Sequence, residues 1–304
     1  MDFIAAHRGE YGVEPICTVL TEHGCPIAPS TFYAAQAKTP SARERRDAEL
    51  VTIIAKARER RFVARLGARK LWLHLRRQGC DVARCTVERL MTQMGICGAT
   101  RSHKTVTTRG DDTHARPQDL VERNFDAVAP NRLWVADFTY VPTWSGMVYV
   151  AFVFDVFSRR IIGWRAATKM TTPLVLDALE MALWTRRKDG VASLTGLVHH
   201  NDAGSQYTSI AFTERLCDAG VDPSVGSVGD AYDNALAESQ IGCYKTELIN
   251  PDSPWRDLNH VEAATMDWVH WFNTERPHES IDDLTPMEVE TLHYRLHPGL
   301  TQAS

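Results

Sequence analysis

Three carboxylates in this chain stand in contexts where an ionised group is costly unless a cation or hydrogen bonds meet it. Asp137 falls in the middle of "WVADFTY", among residues that belong in a sheet interior. Asp202 follows the apolar run of "LVHHNDAGSQY", and Glu238 lies in the helix-forming "DNALAES", one turn after Asn234 and on its face. Gathered in one cleft, three carboxylates repel one another and partly protonate near neutral pH unless a cation compensates them. Hard divalent ions with oxygen ligands do this, Mg²⁺ in particular, because it keeps waters and takes oxygens from substrate phosphates. Each acid also has a plainer reading. Asp202-Ala203-Gly204 fits an ordinary turn, and Glu238 fits a solvated helix. Asp137 is the hardest to explain that way, since aspartate is depleted in strands.

Positioning those acids requires a sheet with helices on it. "RLWVADFTYVP", "MVYVAFVFDVF" and "RRIIGWRAA" are rich in β-branched and aromatic residues and are separated by "TWSG" and "SRR". They predict three strands in an antiparallel meander. "TTPLVLDALEMALWTRRK" predicts a helix capped at Thr171 or Thr172, with Pro173 in its first turn. A strand in "LTGLVHH", a helix from about Ser209 to Ala219, a short strand at Val221–Val225 and a helix through "DAYDNALAESQIGCYKTEL" complete an α/β fold, a mixed sheet flanked by helices. If the first and fourth strands are neighbours, Asp137 and Asp202 converge and the last helix brings Glu238 to their edge.

The first third reads differently. Residues 1–110 carry 19 Lys and Arg against 10 Asp and Glu, a net of +9, whereas residues 111–304 carry 15 against 28, a net of −13. "GARKLWLHLRRQG" and "ARCTVERLMTQMG" each repeat apolar residues at i, i+3, i+4 and i+7 and end on glycine, which predicts two helices joined by a short turn. Arg84, Thr86 and Arg89 lie off that apolar stripe, where they are placed to meet DNA. "VEPICTVLTEHG" with "PSTFYAAQ" forms a second, similar pair, and "SARERRDAELVTIIAKARERRF" one charged helix between them. The expected organisation is a basic, all-α helix-turn-helix region over 1–110, a linker over 111–130, and a catalytic core with C-terminal helices over 131–295. The acidic excess of the core is larger than three metal ligands explain. Local bases such as Arg159, Arg160, Lys169, Arg186, Arg187 and Lys245 would have to meet a DNA backbone.

The rest of the composition narrows the class. The longest apolar run, Met147–Phe154, is far short of the roughly 20 residues of a membrane span. The N-terminal residues lack the basic start and apolar stretch of a signal peptide. Seven cysteines, an odd number without a CxxC pair, argue against a disulfide framework or zinc ribbon. The expectation is a reduced, cytoplasmic protein.

With these motifs in order, the chain resembles the DDE transposases of bacterial insertion sequences, in the integrase-core superfamily, and more closely the second-frame (OrfB) product of insertion-sequence family three. "WVADFTYV", "HHNDAGSQY" and "DNALAES" resemble the segments carrying the family's two Asp and its Glu, and 35 residues separate Asp202 from Glu238, the family's interval. "FDVFSRRIIGW", "FNTERPHESIDDLTP" and the helix pair after Gly67 resemble further family segments. Asn201 and Ala203 depart from the usual residues, and neither is a metal ligand.

The resemblance implies an RNase H-like core with Asp137, Asp202 and Glu238 as catalytic residues and metal ligands. It implies two Mg²⁺ ions, with Mn²⁺ able to substitute, cleavage at the element's ends, and attack of the freed 3′-OH on a second phosphodiester. Lys245, seven residues after Glu238, falls where the family carries a basic residue that contacts DNA. Asn234, Arg84 and Arg89 are further DNA-binding expectations. The implied partners are terminal inverted repeats, target DNA, further copies of the chain on DNA, and a first-frame (OrfA) product as partner or fusion. A nuclease on the same fold, which cuts without joining, and a DNA-binding regulator with a silent core remain the alternatives.

Overall fold

The computed structural model describes residues 1–37, 39–100, 127–201, 207, 209–225 and 235–297. The chain divides into two compact units, Met1–Lys56 and Ala57–Ser304. In the first, α1 (Asp2–Tyr11), α2 (Val13–Glu22) and α3 (Pro29–Ala37) close on Ile4, Val13, Ile16, Cys17 and Phe32. Helix α4 (Ala42–Ala57) is the expected charged helix.

The second unit opens with α5 (Ala68–Arg77) and α6 (Arg84–Gln93), the expected pair. Leu71, Leu75, Val87, Leu90 and Met91 form its buried stripe. Gly79 and Gly95 follow the two helices with φ of 82° and 65°, a left-handed conformation that only glycine adopts at little cost.

The sheet comprises β1 (Leu133–Thr143), β2 (Gly146–Asp155), β3 (Ile161–Ala167), β4 (Leu197–Asn201) and β5 (Val221–Val225) in the order β3-β2-β1-β4-β5. The first three form an antiparallel meander, and β4 and β5 run parallel to β1. Helix α7 (Thr172–Lys188) crosses from β3 to β4, and α8 (Ile210–Asp218) from β4 to β5. Both pack on the face carrying Trp134, Ala136, Ala151 and Val153. Gly163 makes that approach possible: a Cβ there would lie 2.1 Å from the Ala178 carbonyl oxygen. The opposite face carries Phe152, whose ring meets Tyr244 at 5.0 Å and Trp268 at 6.4 Å, on α9 (Ala235–Tyr244) and α10 (Leu258–Thr274). Helix α11 (Pro286–Leu296) follows, begun by a capping box between Thr285 and Glu288.

A buried ion network ties α11 to the sheet. Arg186, 1% exposed, donates to both oxygens of Glu290 at 2.7 Å and to Asp155 at 2.9 Å. Arg160 adds 2.7 Å bonds to Glu290 and Asp189, and the Ser158 hydroxyl donates to Glu290 at 2.7 Å. Burial by itself would raise the Glu290 carboxyl, but the Arg186 guanidinium overrides it and holds the pKa at about 2. Asp155 moves upward, because burial outweighs its single bond from Arg186. These contacts correct the expectation that Arg160 and Arg186 are available to DNA. Both are buried and committed to carboxylates.

A second set of ion pairs accounts for much of the division of charge. Arg60 binds Glu275 (2.6 Å), Arg61 and Arg65 bind Asp252 (2.9 and 2.7 Å), Arg69 binds Asp283 through two 2.6 Å bonds, and Arg77 binds Glu288 (2.9 Å). Basic residues between 60 and 77 thus meet acidic residues beyond the sheet, within one unit. Phe62 packs on Trp271 at a ring distance of 5.2 Å beside them. A chain cut before Ala57 is therefore expected to keep the thermal stability of this unit. A chain beginning after residue 100 uncovers Trp271 and strands those acids, and its unfolding midpoint is expected to fall by roughly 10 °C, since each kcal/mol shifts Tm by about 2–4 °C in a domain of this size. Equal midpoints in thermal melts of the two truncations would show that the helix pair contributes nothing to the unit.

Candidate nucleic-acid active site

Asp137 lies half-buried on β1, directly opposite Phe152 of β2, and therefore on the sheet face that α9 and α10 cover. Its Oδ1 accepts the Phe138 backbone N–H at 2.7 Å. Parallel pairing of β1 with β4 runs from Leu133↔Val198 to Ala136↔Asn201. The residues immediately before Asp137 and Asp202 are thus register partners, while Asp202 itself lies outside the described residues. The expected adjacency of strands one and four holds, with β4 laid parallel to β1 after the α7 crossover.

Glu238 is half-buried in the first turn of α9, which packs along β1. Among the described residues β4 pairs with β1 no further than Ala136, so the remainder of that edge of β1 is open to the helix. Helix α9 passes at Lys245 into a π-helical turn, Lys245–Ile249, a local widening common at functional sites. The Lys245 ammonium sits 4.7 Å from the centre of the Tyr140 ring, a cation–π contact across that edge. Tyr140 follows Asp137 by three residues, which places it on the other face of β1, and the open edge is what lets Lys245 reach it.

The two histidines before Asp202 are core residues. His199 is fully buried against Phe212, and burial pushes it down to about 4, so it is neutral at pH 7. His200 Nδ1 lies 2.9 Å from the Ser224 hydroxyl. The described acids at this end of the sheet are therefore oxygen donors, the set that a hard divalent cation takes. Among the described residues no group of three or more His, Cys, Asp or Glu is assembled as a metal site. Arg84 and Arg89 are on α6, where Arg84 pairs with Glu88 at 2.7 Å and Arg89 donates to Gln93 at 3.2 Å. Asn234 lies outside the described residues.

A mixed sheet of this order, with a meander, two parallel crossovers and a closing helix along its central strand, is the core of an integrase-type polynucleotidyl transferase. Models of the integrase core domain match residues 127–231 and 219–286, and a model of an HTH-like domain matches residues 42–104. The chain belongs to the transposases of bacterial insertion sequences. It is 55% identical over 269 residues to the "Putative transposase for insertion sequence element IS986/IS6110" of Mycobacterium tuberculosis (strain H37Rv), an alignment covering 88% of this chain and 96% of that protein. It is 47% identical over 292 residues to the transposase for insertion sequence element IS629 of Shigella sonnei, covering 94% of each. Transposase InsF for insertion sequence IS3A of Escherichia coli K12 is 31% identical over 293 residues, covering 95% of this chain and 97% of that one. Of solved structures, the HTLV-2 integrase catalytic core domain in complex with magnesium covers 54% of this chain at 17% identity, with a TM-score of 0.40. Enzymes of this family carry out metal-dependent DNA cleavage and strand transfer, and DNA is the partner of this chain. No helix among the described residues is long and apolar enough to cross a membrane.

Proposed function

We propose that Asp137, Asp202 and Glu238 together hold two Mg²⁺ ions, or Mn²⁺ in their place, and that the chain uses them to cut the terminal inverted repeats of its element and join the ends to target DNA. The observation that carries this reading is the Ala136↔Asn201 register, which brings the chain just before each aspartate side by side while α9 carries Glu238 along the same strand. Bound there, the ions supply Lewis acidity, lowering the pKa of the attacking hydroxyl and neutralising charge on the leaving oxygen. The chain's own contribution is to hold the carboxylates on a rigid sheet end, and to keep the neighbouring His199 buried and neutral so that it does not compete for protons. Lys245, fixed over Tyr140, takes a phosphate beside the cleaved bond. Arg84, Arg89 and Asn234 are further DNA contacts in this reading, and the boundaries 1–110, 111–130 and 131–295 its division of labour. Copies of the chain act together on DNA, with a first-frame product as partner or fusion, in the cytoplasm where bacterial DNA lies.

An end-labelled DNA assay with a separate target duplex tests the reading directly. Mg²⁺ should support both cut and joined products, and a chelator should remove both. Cutting without joining would establish a nuclease, and binding unaffected by chelation with neither product a regulator. Lys245→Ala is expected to weaken end-DNA binding and to lower the slope of log affinity against log salt by roughly 1, the loss of one phosphate contact. An unchanged slope, measured by fluorescence anisotropy across a salt series, would leave Lys245 as a solvated helix residue.

A further inference from the structure

Beyond the carboxylates, β1 continues to a hairpin tip that carries Trp144 with 73% of its surface exposed. An exposed indole is ordinarily mobile, but this tip is fastened. The Trp144 backbone N–H donates to the Trp255 carbonyl at 3.0 Å, and the Ser145 N–H and hydroxyl both reach the Arg256 carbonyl at 3.2 Å. Thr143 closes the turn by donating to the Gly146 carbonyl at 2.7 Å. Trp255 anchors the other side, 1% exposed, with its indole N–H on the Ile249 carbonyl at 2.9 Å. A rigid backbone therefore presents a large aromatic face to solvent, and Arg256 is exposed beside it.

Along β1 between Asp137 and this tip, on the sheet face opposite to that of Asp137, stands Tyr140, 37% exposed, which Lys245 reaches round the open edge of the strand. Its register partner on β2 is Tyr149, and Met147, opposite Pro142 on the same face, is 41% exposed. Aromatic faces interleaved with cations are the composition of surfaces that bind single-stranded nucleic acid: cations follow the phosphates and rings stack on bases. We propose that the outer end of β1 is a DNA-strand track leading away from the catalytic carboxylates, on which Trp144 stacks against an unpaired base. The seven residues from Asp137 to Trp144 span about 24 Å of strand, at most roughly seven nucleotides from the cleaved phosphate at the rise of stacked DNA and fewer where the unpaired strand is extended. The inference rests on the assignment of Asp137 to the reaction centre, and deepens it by giving the DNA a direction.

The experiment places 2-aminopurine, a fluorescent base quenched by stacking, at successive unpaired positions in element-end DNA with Ca²⁺ replacing Mg²⁺ to permit binding alone. The full-length protein should quench the probe most strongly at one position within about seven nucleotides of the cleaved phosphate. Trp144→Ala should restore most of that fluorescence, Trp144→Phe should keep part of it, and all three proteins should melt alike because the indole is exposed. Equal quenching by the wild type and Trp144→Ala would overturn the proposal. So would a change of oligomeric state in Trp144→Ala, read by sedimentation, without any change in fluorescence, since the indole would then serve contact between copies. Cleavage by the wild type with Mg²⁺, measured on the same DNA, is a separate readout: intact cleavage with absent quenching rejects the track and leaves the reaction centre standing.

Discussion

Asp137→Asn is expected to lower both end cleavage and strand joining by at least about a thousandfold, a loss of roughly 4 kcal/mol of transition-state stabilisation. The substitution keeps the shape of the side chain and its place opposite Phe152 while removing the charge that would hold a metal ion. Because Asp137 is half-buried rather than part of the apolar interior, the variant should fold and melt close to the wild type. Glu238→Gln should behave in the same way, as it lies in the first turn of a helix whose buried contacts come from Leu236, Ala237 and Ile241. The pair is measured with pre-cut and uncut end DNA, so that cutting and joining are read separately. Near wild-type rates for either variant would remove that residue from the reaction centre.

Arg186→Met is expected to destabilise the unit by about 3–5 kcal/mol, because it leaves Glu290 and Asp155 buried with much of their compensation gone. Chemical denaturation at pH 7 measures this. A loss below about 1 kcal/mol would mean that the network is dispensable. Acid gives a second readout. Glu290, held at about 2 in the fold, contributes stability that is complete above its ordinary value of 4.5 and is lost as pH falls from there towards 2. His199 acts earlier: with its folded pKa depressed to about 4, the unfolded chain takes up its proton first, so stability falls between pH 6.5 and 4. Wild-type stability should therefore decline in two stages on acidification. Arg186→Met should keep the upper stage and shrink the lower one, since Glu290 then keeps only Arg160 and the Ser158 hydroxyl to favour its ionised form.

These networks bear on how the chain meets DNA. Arg60, Arg61, Arg65, Arg69 and Arg77 are part of the basic excess of residues 1–110, yet each is paired with a carboxylate of the same unit. Their attraction for phosphate is correspondingly reduced, as is that of Arg84, which pairs with Glu88, whereas the ammonium of Lys245 sits over an aromatic ring. Acidic residues of the C-terminal helices and of the sheet likewise dock α5 and stitch α11 to the sheet.

Local periodicity was enough to place the strands of the meander, the crossover helix behind Pro173, and the helix pair ending at Gly79 and Gly95. Alternation, capping and glycine conformation act over a few residues and are written in consecutive positions. Asp137 was conspicuous for the same reason, as a charge in a run of strand formers. Tertiary structure alone decided which charges face solvent. Arg160 and Arg186 look as available as Arg187 in sequence, but their partners Asp155 and Glu290 come from the sheet and from a helix more than 100 residues further on. The division of charge at residue 110 looked like a DNA-binding region beside an acidic one, yet many of those charges meet each other across separations of about 200 residues. Tyr140 could not be read as the seat of Lys245 until the limit of β4 pairing at Ala136 opened that edge of β1 to α9. Electrostatic and cation–π partners are chosen by where the topology brings side chains in space, and spacing along the chain carries almost none of that information.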